Sequence, residues 1–203
     1  MANNGANKKA DTDAPLIPAA TVLIVRDTEA GLEVFMVVRH HQIDFASGAL
    51  VFPGGKIDAD DFDAGLRAHC AGANGLGDKE LAYRVGSIRE AFEECGILLA
   101  REKGADTFIS AARLQALSGW RDRFNNRDAT MCAFAEAEDL EFAVDALGHF
   151  AHWVTPDMMK MARYWTEEGT PHPATRTLKE NDKVAPDTLL GKICVRHDVK
   201  SGK

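Results

Sequence analysis

The chain has 203 residues, 45% of them hydrophobic and 27% charged, the make-up of an ordinary globular domain. Its formal charge is −7, which leaves no overall basic footprint for nucleic acid and no attraction to an anionic membrane surface. No apolar run approaches the roughly 18 residues that span a bilayer, and four scattered cysteines (Cys70, Cys95, Cys132 and Cys194) without a CxxC pair exclude a disulfide scaffold.

Residues 1–17 form a polar tail, expected to be disordered. Lys8 and Lys9 precede no apolar stretch, so the tail does not read as a signal peptide, and the expected location is the cytoplasm. Residues 18–203 are expected to form one domain. Ala20–Val25 and Leu32–Arg39 are apolar runs on either side of a turn at Asp27–Gly31, the pattern of a hairpin. After a polar loop, His40–Gly48, a short strand at Ala49–Phe52 stops at Pro53-Gly54-Gly55. Asp58–Asp63 holds four aspartates, and Gly65–Gly77 reads as a short helix followed by a loop. Asp78–Ala100 reads as a strong helix capped by Asp78, with Leu81, Val85, Ile88, Phe92 and Cys95 at helical spacing and Gly96 near the end. Thr107–Asn125 and Ala129–Asp139 read as two further helices, His149–Val154 as a strand and Met158–Glu168 as a helix. After Gly169 the chain turns polar, and only Lys192–Arg196 reads as a strand.

The chemistry concentrates in Arg89-Glu90-Ala91-Phe92-Glu93-Glu94-Cys95-Gly96-Ile97. Helical spacing puts Glu90, Glu93 and Glu94 on nearly one face, where like charges repel. A hard cation with oxygen ligands relieves that repulsion. Ile88, Phe92 and Cys95 then face the core, and Arg89 lies one turn before Glu93. Upstream, the two glycines after Pro53 let the backbone approach a ligand closely. An acidic helix face alone is usually solvated and a Pro-Gly-Gly alone is usually a turn; the order strand, glycine turn, acidic helix is the informative combination.

This segment resembles the signature of the Nudix hydrolases, in which a glycine and a glutamate precede R-E-U-x-E-E-x-G-U (U, a bulky aliphatic residue). Arg89–Ile97 keeps every fixed charged or glycine position, with Ala91 small at the first U. Gly55 stands at the first glycine, and Asp61 stands where the family has glutamate. The interval from Asp61 to Arg89 is 28 residues where the pattern needs 8, so 20 extra residues lie inside the motif. That insertion, with Val51-Phe52-Pro53-Gly54-Gly55 and His152-Trp153-Val154-Thr155-Pro156, resembles the branch that includes the peroxisomal coenzyme A diphosphatases. The likeness covers about residues 18–158.

The resemblance implies an α/β fold, a Nudix-type α/β/α sandwich with a mixed sheet between helices. It would carry helical insertions at about residues 62–80 and 105–140 and an atypical tail from about 159. It implies hydrolysis of a diphosphate bond in a small-molecule nucleoside diphosphate derivative with Mg²⁺ or Mn²⁺, coenzyme A or acyl-coenzyme A being the leading substrate. Glu90, Glu93, Glu94 and the Gly55 carbonyl would be metal ligands, Glu90 a ligand or the base, and Arg89 an orienter of a glutamate. Arg39, Gly48 and Gly54 would meet substrate, because Arg39, Gly48 and Phe52-Pro53-Gly54-Gly55 keep the spacing of a coenzyme A pattern. His40 and Asp44 depart from that pattern, and Arg39 as a surface residue is the other reading. Where the branch has a core strand, Met158–Trp165 reads as helix, and a homodimer is one way to fill that place. A non-catalytic Nudix-fold module that binds a nucleotide or a protein is the rival to the enzyme. Cys95 reads as packing rather than as a nucleophile. His149 and His152 do not make a zinc pattern without further ligands.

Overall fold

A computed structural model describes residues 16–38, 50–154 and 189–200. Its centre is a mixed sheet in the order β2-β1-β9-β8, with β5 also on β1. The long strand β1 (Leu16–Thr28) pairs antiparallel with β2 (Gly31–Val34) and β5 (Gly54–Lys56), and along its length with β9 (Leu189–Lys200). β9 runs parallel to β8 (Leu147–Val154). Two small ladders, β3 (Val37–Val38) with β4 (Leu50–Val51) and β6 (Ala100–Glu102) with β7 (Leu140–Phe142), complete the strands.

The tail departs from expectation. The strand expected at Lys192–Arg196 runs from Leu189 to Lys200 and lies between β1 and β8. The chain itself therefore supplies a central strand, and no second copy is needed for it. Its extent was not readable locally because both ladders that satisfy its backbone are contacts distant in sequence. The helix expected at Met158–Glu168 lies outside the described residues.

Helix α1 (Asp78–Cys95) packs on β1, β5 and β9. Leu81, Val85, Ile88 and Phe92 are buried as their spacing predicts. Gly77 rather than Asp78 holds the N-cap position. The helix ends at Cys95, five residues earlier than expected, because Gly96 takes a left-handed φ of +68°. There Gly96 N donates to Phe92 O at 2.9 Å and Ile97 N to Ala91 O at 3.2 Å, which closes the last turn. The residues after it, Leu98 to Ala100, go into the core and start β6.

Two 3-10 helices follow β5: Ala59–Phe62, which carries Asp61, and Ala64–His69, which opens the insertion. The helix expected over 107–125 is two helices, α2 (Ala111–Ala116) and α3 (Gly119–Asn125). Ser110 caps α2 by accepting from Arg113 N, and Ser118-Gly119 interrupts the run with poor helix formers. α4 (Met131–Glu138) is capped by Thr130 in the same way. Phe92 of α1 stacks on Phe134 of α4 at 5.5 Å and meets Phe124 of α3 edge-on at 6.1 Å. The added helices thus share α1's core. Among the described residues no helix is long and apolar enough to cross a membrane.

Candidate active site

Three elements meet at the C-terminal half of α1. β5 brings Gly54 and Gly55 past the helix, the 3-10 helix Ala59–Phe62 brings Asp61 under it, and α1 supplies Arg89, Glu90, Glu93 and Glu94. Gly54 N donates to Glu94 Oε2 at 3.0 Å. A Cβ built on Gly55 would lie 2.6 Å from the Glu90 carboxylate, so a side chain there would push Glu90 off its place on Arg89. At Gly54, φ is +156° and a Cβ would meet Ala20 O of β1 at 2.3 Å.

Arg89 is the hub. Its side chain is 8% exposed. Nε donates to Asp61 Oδ1 at 3.0 Å and Nη2 to Asp61 Oδ2 at 2.9 Å. Nη2 also donates to Lys56 O at 2.8 Å, which ties the helix to the end of β5. Nη1 donates to Glu90 Oε1 at 3.0 Å and Glu93 Oε1 at 3.1 Å. One planar fork thereby fixes two helical glutamates and an aspartate 28 residues away. Asp58 Oδ2 is a looser neighbour at 3.8 Å. Asp61 also accepts from Asp58 N at 2.9 Å, so its carboxylate is held from two sides. Burial pushes the Asp61 carboxyl above its ordinary value, against the pull of Arg89.

Negative charge outweighs this one guanidinium. Burial, opposed by Arg89 and reinforced by Glu93 and Glu94, pushes Glu90 up from 4.5 to about 7. The carboxylates also sit near the helix C-terminus, where the backbone dipole disfavours anions. The last carbonyls of α1 have a counter-charge: Arg121 of α3 donates through Nη2 to Glu93 O at 2.8 Å and Glu94 O at 3.2 Å. The donor set, all oxygen and overcharged, with a glycine where a side chain would collide with Glu90, fits a hard divalent cation. Glu90, Glu93 and Glu94 could hold it, with backbone oxygen from the Gly54–Gly55 turn.

The structure therefore brings together Gly54, Gly55, Arg89, Glu90, Glu93 and Glu94. Arg39 and Gly48, and with them His40, His41 and Asp44, lie outside the described residues. Cys95 is half-buried, and burial holds its thiol up at about 12, which fits packing rather than nucleophilic chemistry.

Two contributors escaped the sequence. Gly86 is an interior glycine of α1; a Cβ there would meet Ile57 Cδ1 at 2.6 Å and Asp61 Oδ2 at 2.9 Å. The glycine is what lets Asp61 reach Arg89 one turn later, and a glycine inside a strong helical pattern was its signal. Arg121 had no signal, since its partners are backbone oxygens of another helix.

A family model for the NUDT19 Nudix domain matches residues 72–168, a span that includes α1 but begins after the Gly54–Gly55 turn. A human relative, acyl-coenzyme A diphosphatase NUDT19, is 26% identical over 163 residues, covering 62% of this chain and 44% of that protein. The chain thus spans less than half the length of this relative. The crystal structure of a NUDIX hydrolase from Alicyclobacillus acidocaldarius aligns with a TM-score of 0.50 at 23% identity, over 96% of this chain and 72% of that one. That likeness establishes the α/β fold.

Proposed function

We propose that this chain, a member of the Nudix family, hydrolyses the diphosphate bond of a nucleoside diphosphate derivative, with coenzyme A or acyl-coenzyme A as its substrate class and Mg²⁺ or Mn²⁺ as its cofactor. One observation carries the reading: a buried Arg89 arranges Glu90 and Glu93, while Glu94 is fixed by the turn at Gly54. Such an excess of carboxylate is costly to a fold that has no cation to place there. A bound divalent ion supplies charge neutralisation on phosphoryl oxygens and a water of lowered pKa.

The chain's own residues do the rest. Glu93 and Glu94 are the ligands we assign. Glu90, held by Arg89 at 3.0 Å beside both ligands, is placed to take a proton from the attacking water. Arg89 and Asp61 keep the glutamate carboxylates in place, as positioning residues that touch no substrate. The coenzyme A assignment is supported by the human relative's name and by the spacing of Arg39, Gly48 and Phe52-Pro53-Gly54-Gly55. A reducing setting such as the cytoplasm suits the unpaired thiols of Cys70, Cys95 and Cys132.

The test is a hydrolysis panel with Mg²⁺ and Mn²⁺ read by mass spectrometry. Coenzyme A, acyl-coenzyme A, ADP-ribose, NADH and dinucleoside polyphosphates are compared, with a Glu93→Gln, Glu94→Gln control. Release of 3′,5′-ADP and a phosphopantetheine product, lost in the control, is the expected result. Turnover of another member keeps the mechanism and replaces the substrate. A folded protein silent across the panel overturns the enzymatic reading.

A further inference from the structure

A second cluster of ligating side chains lies away from the acidic face of α1. His69 ends the 3-10 helix Ala64–His69 inside the insertion, and Cys132 and Glu136 stand one turn apart on α4. One ligating atom from each lies within 4.8 Å of the others. His69 Nε2 is 3.8 Å from Glu136 Oε1, and Cys132 Sγ is 3.8 Å from the same oxygen. Tetrahedral zinc with the usual bond lengths to nitrogen, oxygen and sulfur sets its donors about 3.3–3.6 Å apart. For the two pairs that include Glu136 the gap is a few tenths of an ångström, and His69 and Cys132 lie within 4.8 Å of each other.

The surroundings suit an ion. Gly65 faces the cluster: a Cβ there would lie 3.0 Å from Cys132 Sγ and 3.2 Å from Asp63 Oδ1. The missing side chain keeps that space open, and a water would complete the coordination. His69 is mostly buried while Glu136 is exposed, which gives a held ligand and an entry path. Imidazole and thiolate are donors of zinc and poor ones for magnesium, so this mixed site and the all-oxygen face of α1 select different metals.

We propose that His69, Cys132 and Glu136 form a zinc site that clamps the motif insertion onto α4. Neutral histidine with one thiolate and one carboxylate balances the dication. Binding releases the Cys132 proton, since zinc takes the thiolate.

The experiment uses the full chain, stripped with a chelator, in both the wild-type and the Glu93→Gln, Glu94→Gln background, so that the acidic face does not contribute. Zinc is titrated against a competing chromophore, and cobalt is used as the spectroscopic substitute. One equivalent bound in the Glu93→Gln, Glu94→Gln background and at least one in the wild type, a thiolate-to-cobalt charge-transfer band and a thermal midpoint raised by about 5 °C with zinc are expected. Cys132→Ser abolishes the band, and His69→Ala weakens zinc binding by about tenfold or more. Glu136 is 65% exposed, so Glu136→Gln keeps the fold and supplies the same test if either of the others does not. Failure of the folded wild type to bind zinc, a cobalt complex without the thiolate band, or affinity unchanged in the folded variants overturns the site. Loss of zinc binding only in the Glu93→Gln, Glu94→Gln background overturns it too, by placing the ion on α1.

Discussion

Arg89 and Arg113 each tie together carboxylates from separate elements, and the balance around them differs. Arg113 of α2 donates to Glu102 of β6 at 3.0 Å, to Glu138 Oε2 of α4 at 3.0 Å and to Glu138 O at 2.8 Å. Trp120 Nε1 takes the other oxygen of Glu138 at 2.8 Å. These two carboxylates outnumber Arg113 but are partly solvated, with Glu102 half-exposed and Glu138 sharing a neutral donor. Around Arg89 the carboxylates of Asp61, Glu90 and Glu93 share one buried fork, and Glu94 lies beside them. Where water reaches the surplus charge, a cluster needs nothing more than its own residues. A buried surplus is held for something that arrives, and its cost is carried by the fold.

That contrast predicts its largest effect at Arg89. Arg89→Met strands Asp61 as a buried, unpaired carboxylate and frees two glutamates, and is expected to cost about 3–5 kcal/mol, read as a denaturant midpoint. An Asp61→Asn, Arg89→Met double variant recovers part of the loss, because the stranded charge is gone. An Arg89→Met protein as stable as wild type would break the hub reading. Next in size is Glu93→Gln, expected to lower kcat with the best substrate of the panel by about 100-fold or more, on the order of 3 kcal/mol in the barrier. The same change is expected to leave the metal-free protein at least as stable, since one repelling charge has been removed. Lower stability together with lower activity would mean that Glu93 is structural.

How much of this was legible in the sequence depended on the range of the information. The face of α1 could be read because the spacing of Leu81, Val85, Ile88 and Phe92 is local, and it placed Glu90, Glu93 and Glu94 together. Asp61 could be aligned with Arg89 only through the family pattern, across an insertion that no local rule spans. The reason for Gly86 lies in Ile57 and Asp61, which local helix propensity does not contain. β9 is a strand because β1 and β8 flank it, and its central place was invisible from Leu189–Lys200 alone. The break between α2 and α3 was different: Ser110 and Gly119 carried the signal, and the apolar periodicity masked it.

Glu90 offers a way to measure the imbalance directly. Its folded pKa is about 7 against 4.5 when unperturbed, so between those values the folded chain keeps a proton that the unfolded chain has released. Stability of the metal-free protein therefore falls as pH rises through that window. Below it Glu90 is protonated in both states and costs nothing; above it the penalty is complete, about 3 kcal/mol at most. Glu90→Gln flattens the slope between about pH 5 and pH 8, and saturating Mg²⁺ or Mn²⁺ flattens it in the wild type by stabilising the ionised form. A slope unchanged in Glu90→Gln would assign the titration to other groups, Asp61 first among them.

The smallest effect is expected at Arg113, and it is the control that gives the others meaning. Arg113→Met keeps the aliphatic stem and removes three hydrogen bonds. Glu102 is half-exposed and is rehydrated at little cost, while Glu138 keeps Trp120 as a donor. Partly exposed ion pairs are worth on the order of 1 kcal/mol or less, and the lost bond to Glu138 O adds about as much again, so a destabilisation of about 1–2 kcal/mol is expected in the denaturant midpoint. Catalytic rate and the pH slope of stability should not move, because no group of this cluster touches α1's carboxylates. A fall in rate comparable to that of Glu93→Gln would show that α2 and α4 transmit strain to α1 through the shared Phe92–Phe134 stack. The two arginine clusters would then be one coupled unit rather than a site and a brace.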